Sequence, residues 1–221
     1  MDVSQLAQTL AIYSIPVLFA ITLHEAAHGY VARHFGDLTA YAQGRISLNP
    51  ARHIDLVGTI IVPIVILAVS RFAGGAGLLF GWAKPVPVNY SALRRPKQNM
   101  LWVAAAGPGA NLAMSLGWAA LYKFTELMPQ NYFTDPMQKM AAAGIEVNIM
   151  LMLLNLLPIL PLDGGRILAS VLPGRAAWHY AKLEPLGFPI LLLLLFTNLL
   201  GVILAPLMRV SYQVIGTIFQ L

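Results

Sequence analysis

Residues 6–30 read LAQTLAIYSIPVLFAITLHEAAHGY, and this stretch decides the fold class. Outside HEAAH at 24–28, it contains no Asp, Glu, Lys, Arg or His. A helix needs about 20 apolar residues to cross the hydrocarbon core of a bilayer, so the stretch predicts a transmembrane helix. Because residues 1–23 contain no Lys or Arg, we expect no removable secretory signal, and the helix stays in the protein.

The composition of the whole chain also indicates a membrane protein. Of its 221 residues, 58% are hydrophobic and 10% are charged, whereas about a quarter of the residues in a soluble domain are charged. The net charge of +5 comes from basic residues between apolar stretches, which is typical of cytoplasmic membrane loops and not of a nucleic-acid-binding surface. The chain has no cysteine, which excludes thiolate metal sites and a cysteine nucleophile.

Apolar segments predict several transmembrane helices in one integral-membrane domain, residues 1–221. The segments are residues 6–30, 56–72, 100–122, 140–162 and 187–208, and an apolar tail, 210–221, follows Arg209. Residues 73–89 are rich in Gly and Pro, so we expect a short re-entrant or extended segment there. The predicted fold is an all-α multi-pass membrane protein with about five to six transmembrane helices.

HEAAH within the first helix has the spacing of a metal site. Side chains at i and i+4 project from one face of a helix, so His24 and His28 can bind one Zn²⁺. Glu25 can then act as the general base for an attacking water. The pattern is common by itself, but three ionisable residues within five positions of a transmembrane helix are costly without a function. The alternative is a polar patch near the membrane surface.

A catalytic zinc site also needs a third protein ligand that leaves one position open. The best candidate is Asp163, which follows NLLPILPL at 155–162; its alternative role is a helix cap or a salt bridge with Arg166. Asn155 carries an amide suited to hold a substrate carbonyl or its oxyanion. The alternative role of Asn155 is a hydrogen bond between helices.

HEAAH at 24–28 and NLLPILPLDGG at 155–165 together resemble the site-2 protease family, membrane zinc peptidases that cut substrates within the bilayer. GPGAN at 107–111 is similar to the GPxxN-like element of that family. The chain resembles the compact branch of peptidase family M50, which has no PDZ or CBS domain. The resemblance implies the following roles: zinc ligands His24, His28 and Asp163, catalytic Glu25, substrate-orienting Asn155, and a substrate contact by Asn111.

The resemblance also implies partners and a location. The expected cofactor is one Zn²⁺ per chain, and the expected substrates are proteins with a transmembrane segment or a signal peptide. The expected location is the inner membrane of a prokaryote. We expect contact with the lipid bilayer and no nucleic-acid partner, and the sequence predicts no oligomeric state.

The distribution of charge and the number of crossings predict which side of the membrane holds the site. If every apolar segment crossed once, HEAAH and Asp163 would lie on opposite sides, so we expect residues 56–83 to enter the membrane and return. A bias of ten basic residues to three then makes the active-site side cytoplasmic. The ten are Arg33, Arg45, Arg52, Lys84, Arg94, Arg95, Lys97, Arg166, Arg175 and Lys182, and the three are Arg71, Lys123 and Lys139.

The sequence KPVPVN at 84–89 is predicted to hold the substrate. Proteolysis needs an extended substrate, since a helix engages its carbonyl groups in its own hydrogen bonds. Pro85 and Pro87 have no N–H, so one edge of this segment cannot pair with a strand. Val86 and Val88 keep their N–H and C=O groups on the other edge, where a substrate strand can bind. The alternative is a plain rigid loop.

Two other functions fit part of this pattern. A zinc transporter also places His and Asp in membrane helices, but it predicts a charged pathway through both leaflets, and the apolar segments carry none on the opposite side. An inactive scaffold of the same fold would bind signal or anchor segments, but the complete HExxH sequence and Asp163 argue against it. The sequence therefore predicts an intramembrane zinc metalloprotease.

Overall fold

The computed structural model describes residues 3–62, 65, 84–129 and 131–221. Regular structure in this part of the chain is entirely helical, which confirms the predicted all-α class. The α-helices are α1 (Val3–His34), α2 (Thr39–Ala42), α3 (Pro96–Glu126), α4 (Thr134–Asn155), α5 (Asp163–Val171), α6 (Gly174–Ala181), α7 (Glu184–Phe196) and α8 (Leu199–Phe219). Two 3₁₀-helices, Pro50–Arg52 and Tyr90–Ala92, and a π-helical stretch, Leu56–Ile61, complete the described elements.

Three of the described helices are long and apolar enough to cross a membrane. They are Ala7–His34 of α1, α4 and α8. α6 and α7 meet at a bend of 61° and make a fourth candidate if the bent pair is counted as one span. The chain is therefore an integral membrane protein with several apolar helices.

The fourth predicted segment, 140–162, is placed differently in the structure. α4 begins at Thr134 and already ends at Asn155. Pro158 and Pro161 lack the N–H that would continue the helix, and the chain turns between the two helices. Asp163 is consequently the first residue of a separate helix, α5, and not the end of α4.

The last predicted segment, 187–208, is divided into two helices. α7 ends at Phe196 and α8 begins at Leu199, with Asn198 between them in the left-handed conformation at φ 59°. Asn adopts this conformation more easily than most residues, which is why the break falls there. α8 continues through Arg209, so the predicted tail at 210–221 is largely the second half of this helix.

The other predicted segments are described only in part, and α3 is not among the candidate spans named above. Residues 100–122 lie within α3. The 56–72 segment begins with the π-helical stretch, but most of its remainder, like residues 73–83, lies outside the described residues. Residues 84–89 form neither helix nor strand.

A core of three helices supports the functional site. α1, α3 and α4 pack against one another, α5 packs on α3, and α8 packs on α4. α3 and α4 approach closely because Gly144 has no side chain, and a Cβ at this position would overlap the ring of Trp118. Each of the three core helices directs buried polar side chains inward, and these side chains build the site described next.

Candidate metal centre

Three potential ligand atoms meet between α1 and the first residue of α5. His24 Nε2 and His28 Nε2 are 3.1 Å apart. Asp163 Oδ2 lies 3.2 Å from His24 Nε2 and 3.3 Å from His28 Nε2. All three side chains are buried. The structure therefore brings together the three residues that the sequence predicts as metal ligands.

The size of this triangle fits a zinc ion. Zinc binds imidazole nitrogen and carboxylate oxygen at roughly 2.0–2.1 Å, and tetrahedral geometry then places the ligand atoms about 3.3 Å from one another. The three separations of 3.1, 3.2 and 3.3 Å agree with this value. A fourth tetrahedral position remains for water or substrate, as catalytic zinc sites require.

Hydrogen bonds on the far side of each imidazole fix its protonation. His24 Nδ1 lies 2.5 Å from Asn111 Oδ1, and His28 Nδ1 lies 2.7 Å from the Val103 carbonyl oxygen. Both partners accept, so each Nδ1 carries the proton and donates it. In the neutral form of each ring, Nε2 then carries the lone pair, and both Nε2 atoms face Asp163.

This arrangement places three potential ligand atoms where a bound cation can be held by all of them. Asp163 Oδ2 is buried and receives no hydrogen bond from the part of the chain that is described. With both rings neutral and protonated at Nδ1, the three facing atoms are all acceptors. A divalent cation bound by two imidazoles and a carboxylate removes this unfavourable contact, and the donor set suits zinc.

Neither alternative role of Asp163 is present. Its buried Oδ2 accepts no hydrogen bond from a described backbone N–H at the start of α5. Arg166 instead donates its Nε–H to the Pro161 carbonyl at 3.3 Å, and the ion pairs found among described residues do not include Arg166. The carboxylate is thus directed to the histidines alone.

Glu25 occupies the neighbouring face of α1. It is half-buried, and its Oε2 accepts a hydrogen bond from the Val86 N–H at 2.8 Å. Gly29, one turn further along α1, leaves space for Ile46 and Val86, because a Cβ there would lie 2.9 Å from the Ile46 side chain and 3.3 Å from that of Val86. α1 therefore presents one face, His24 and His28, to the metal site and the adjacent face to residues 84–89.

Residues 84–89 are anchored by buried groups on the loop that follows α1. The Lys84 N–H donates to the His53 carbonyl at 2.9 Å, and the Asn89 N–H donates to Asp37 Oδ2 at 2.6 Å. Arg45 donates to the Lys84 carbonyl at 2.9 Å. Residues 53 and 84 therefore lie together although 30 residues separate them in the sequence. This agrees with the expectation that residues 56–83 return to the side of the membrane that they left.

Comparisons with known proteins agree with this geometry. The chain is 34% identical over 211 residues to the Bacillus subtilis protein named "Putative zinc metalloprotease YwhC". The aligned residues cover 93% of this chain and 90% of that relative. This chain belongs to the site-2 protease family. It is a zinc-dependent metalloprotease, and the zinc-transporter and inactive-scaffold alternatives are set aside.

Two further relatives of this site-2 protease are mycobacterial. Both are named "Putative zinc metalloprotease Rip2". The protein of Mycolicibacterium smegmatis is 29% identical over 83% of this chain and 66% of its own length. The protein of Mycobacterium tuberculosis strain Erdman is 29% identical over 76% of this chain and 54% of its own length. No protein-family model and no solved structure matches the chain.

Gly107, the first residue of GPGAN, lies directly against the two histidines, a contact that the sequence motif does not reveal. A Cβ at residue 107 would lie 2.6 Å from His24 Nε2 and closer still to His28 Nε2. The glycine therefore gives the imidazoles the space in which they converge. Gly109, two residues further on in GPGAN, has nothing within 4 Å of the same hypothetical Cβ. Only contact with α1 distinguishes the two glycines.

Asn111 lies behind His24, and its predicted contact with a substrate stays a prediction. It is fully buried, and its Nδ2 donates to Asn148 Oδ1 at 3.0 Å. Asn148 donates in turn to the Gly144 carbonyl at 2.8 Å. This chain of amides turns the Asn111 oxygen toward His24 and so orients the ligand. The sequence analysis misses Asn148, whose only signal is an amide within an apolar helix.

The remaining predicted substrate residues are placed as follows. The Val86 N–H is occupied by Glu25, which the sequence does not predict. The Val88 N–H and C=O have no hydrogen-bond partner within the described ranges. Asn155 is the last residue of α4, and its Nδ2 donates to the Leu151 carbonyl at 3.0 Å. Its role toward the oxyanion stays a prediction.

Proposed function

We propose that this protease hydrolyses peptide bonds in or near the transmembrane segments of other proteins. The observation that carries the proposal is the buried triangle of His24, His28 and Asp163 within a bundle of apolar helices. Metal ligands buried in such a bundle are most directly accessible to a polypeptide segment that already lies in the membrane. Clearance of signal or anchor peptides and regulated cleavage of membrane proteins are the two substrate classes that fit.

The side chains divide the chemistry between them. Zinc, when bound, polarises the scissile carbonyl and lowers the pKa of water toward neutrality. Glu25 removes the proton of the attacking water and returns it to the leaving amine. The Val86 N–H holds one oxygen of the Glu25 carboxylate and leaves the other free for this transfer. Asn155, once released from Leu151, would steady the oxyanion.

The substrate would lie along residues 84–89. We infer that its backbone pairs with the free N–H and C=O of Val88, which adds a strand to this segment. Val86 joins that strand to the catalytic base through the hydrogen bond to Glu25. Substrate binding and the orientation of Glu25 thus depend on different backbone groups of one segment.

This division predicts distinct effects for two proline substitutions. Val86→Pro removes the N–H that positions Glu25, so it should lower kcat with KM nearly unchanged. Val88→Pro removes a pairing group for the substrate, so it should raise KM. Neither touches a ligand, and zinc content should stay at the wild-type level in both. Steady-state cleavage of one membrane-embedded peptide measures the difference, and native kinetics in both variants would contradict the substrate role of this segment.

We also propose a topology of about five to six crossings with the site facing the cytoplasm. α3 is placed among the spans because its 31 residues pack between α1 and α4 and bury Asn111 and Ser115. The ten-to-three distribution of basic residues supports a cytoplasmic opening. The bacterial relatives support the inner membrane of a prokaryote as the location.

Cysteine labelling tests this topology, because the chain has no native cysteine. A labelled cysteine must be accessible to the reagent. Gln43 and Ser91 are exposed and suit this purpose, whereas Asp37 is fully buried. Gln43→Cys and Ser91→Cys should both react with a membrane-impermeant maleimide only from the cytoplasmic side. Labelling from opposite sides would exclude the return of residues 56–83.

The function itself is tested with single-span peptides in lipid. The purified protein should cut such a peptide within or next to its apolar segment, a zinc chelator should abolish cleavage, and added Zn²⁺ should restore it. Mass spectrometry of the products locates the cut. Cleavage confined to soluble, unstructured peptides would contradict the proposed function.

A further inference from the structure

Two charged residues lie near the middle of candidate membrane spans and away from the metal centre. Glu146 is residue 13 of the 22 in α4, and Arg209 is residue 11 of the 21 in α8. Both side chains are exposed on the surface of the protein. Ionisable side chains at this depth in a bilayer are unfavourable unless they find partners. The two residues therefore require an explanation that the proteolytic site does not supply.

Neither residue has an oppositely charged partner among the residues that the structure describes. Glu146 Oε2 accepts a hydrogen bond of 2.9 Å from the Tyr13 hydroxyl, but no cation within the described ranges lies within 4.0 Å of it. Arg209 makes no hydrogen bond or ion pair to any described residue. Two candidate spans thus expose a carboxylate with one neutral partner and a guanidinium without any described partner.

The two residues lie at nearly the same depth. Met208 and Ile215 of α8 pack with Ile145 and Ile149 of α4 in one hydrophobic cluster. Arg209 lies next to Met208 and Glu146 next to Ile145, so both charged residues lie at the level of this cluster.

Both side chains also point away from the catalytic centre. Glu146 is two residues from Asn148, hence about 200° around α4 from the amide that supports His24. Arg209 is about 140° around α8 from Leu204, which is buried in the bundle. We call the surface formed by Tyr13, Glu146 and Arg209 the rear face. A partner bound there leaves residues 84–89 accessible to substrate.

We propose that the rear face binds a second copy of this chain, with Glu146 of each protomer paired to Arg209 of the other. A two-fold axis along the membrane normal keeps every residue at its own depth, so level opposite charges on one face meet in two equivalent pairs. The charge complementarity that a partner needs is thus present in the chain itself. This dimer does not depend on the proteolytic function.

Charge reversal distinguishes pairing between chains from pairing within one chain. In Glu146→Arg both interfacial pairs become Arg–Arg, and in Arg209→Glu both become Glu–Glu, so each variant alone should be monomeric. Mixed together, the two variants form two Arg–Glu pairs across the interface and should dimerise again. A pair within one chain cannot be restored by mixing. Lys139→Glu, which reverses an exposed charge near the start of α4, serves as the control and should leave dimerisation unchanged.

The readout is energy transfer between donor and acceptor dyes on Gln43→Cys in liposomes, with zinc content as the check on folding. We expect transfer in the parent protein, a loss of about tenfold or more in dimer affinity for each reversal, and recovery in the mixture. If a reversal prevents folding, Glu146→Gln and Arg209→Gln replace it and should each weaken the dimer. Absence of transfer in the parent protein, or equal transfer in all variants, overturns the proposal. A monomeric parent whose cleavage depends on Glu146 would assign the rear face to a substrate segment instead.

Discussion

Glu25→Gln should leave about one zinc per chain and lower hydrolysis by roughly 10²-fold or more. Glutamine keeps the shape of the side chain, and its amide oxygen can still accept the Val86 N–H, so the local structure is preserved. It cannot take up a proton from water. Metal analysis and cleavage of one membrane-embedded peptide, measured on the same preparation, separate the two effects.

The ligand variants provide the contrast. His24→Ala and His28→Ala each remove an Nε2 atom from the triangle, so zinc occupancy and activity should fall together. A Glu25→Gln protein that still cuts at the native rate would end the assignment of Glu25 as the base.

Gly107→Ala should remove zinc binding although no ligand is changed. The added Cβ would lie 2.6 Å from His24 Nε2, and the backbone of α3 cannot withdraw because Pro108 and Asn111 are buried beside it. The imidazoles must therefore separate, and we expect zinc affinity to fall by at least about tenfold, with activity lost in parallel.

Gly109→Ala is the matched control for this substitution. It makes the same change on the same helix, but nothing lies within 4 Å of the new atom. Zinc affinity and activity should be those of the parent protein. Equal loss in both variants would indicate a general weakness of α3, and no loss in Gly107→Ala would show that the histidines do not converge beneath this residue.

The part of the site that is local in sequence could be predicted from the sequence. His24 and His28 share a helix at i and i+4, so their common direction follows from helix geometry alone. Asp163 could be identified because few carboxylates lie near apolar segments. Its helix could not, since the prediction continued α4 through two prolines, whereas the structure starts α5 at this residue.

The supporting contacts could not be predicted because they join distant parts of the chain. The Val86 N–H meets Glu25 across 61 positions, and Asn148 meets Asn111 across 37. The hydrophobic periodicity of a sequence does not indicate contacts between distant residues. An isolated asparagine in an apolar helix is also compatible with several partners. The break at Asn198 was missed because the apolar composition continues on both sides of it.

The zinc content of purified Asp163→Ala tests the central claim most directly. Arg166→Ala on the same helix is its control, since Arg166 contacts the Pro161 carbonyl and not the ligands. With three ligands required for tight binding, the parent protein and Arg166→Ala should each retain about one zinc per chain, while Asp163→Ala should retain little after dialysis. A full complement of zinc in Asp163→Ala would contradict the metal centre described for this protease.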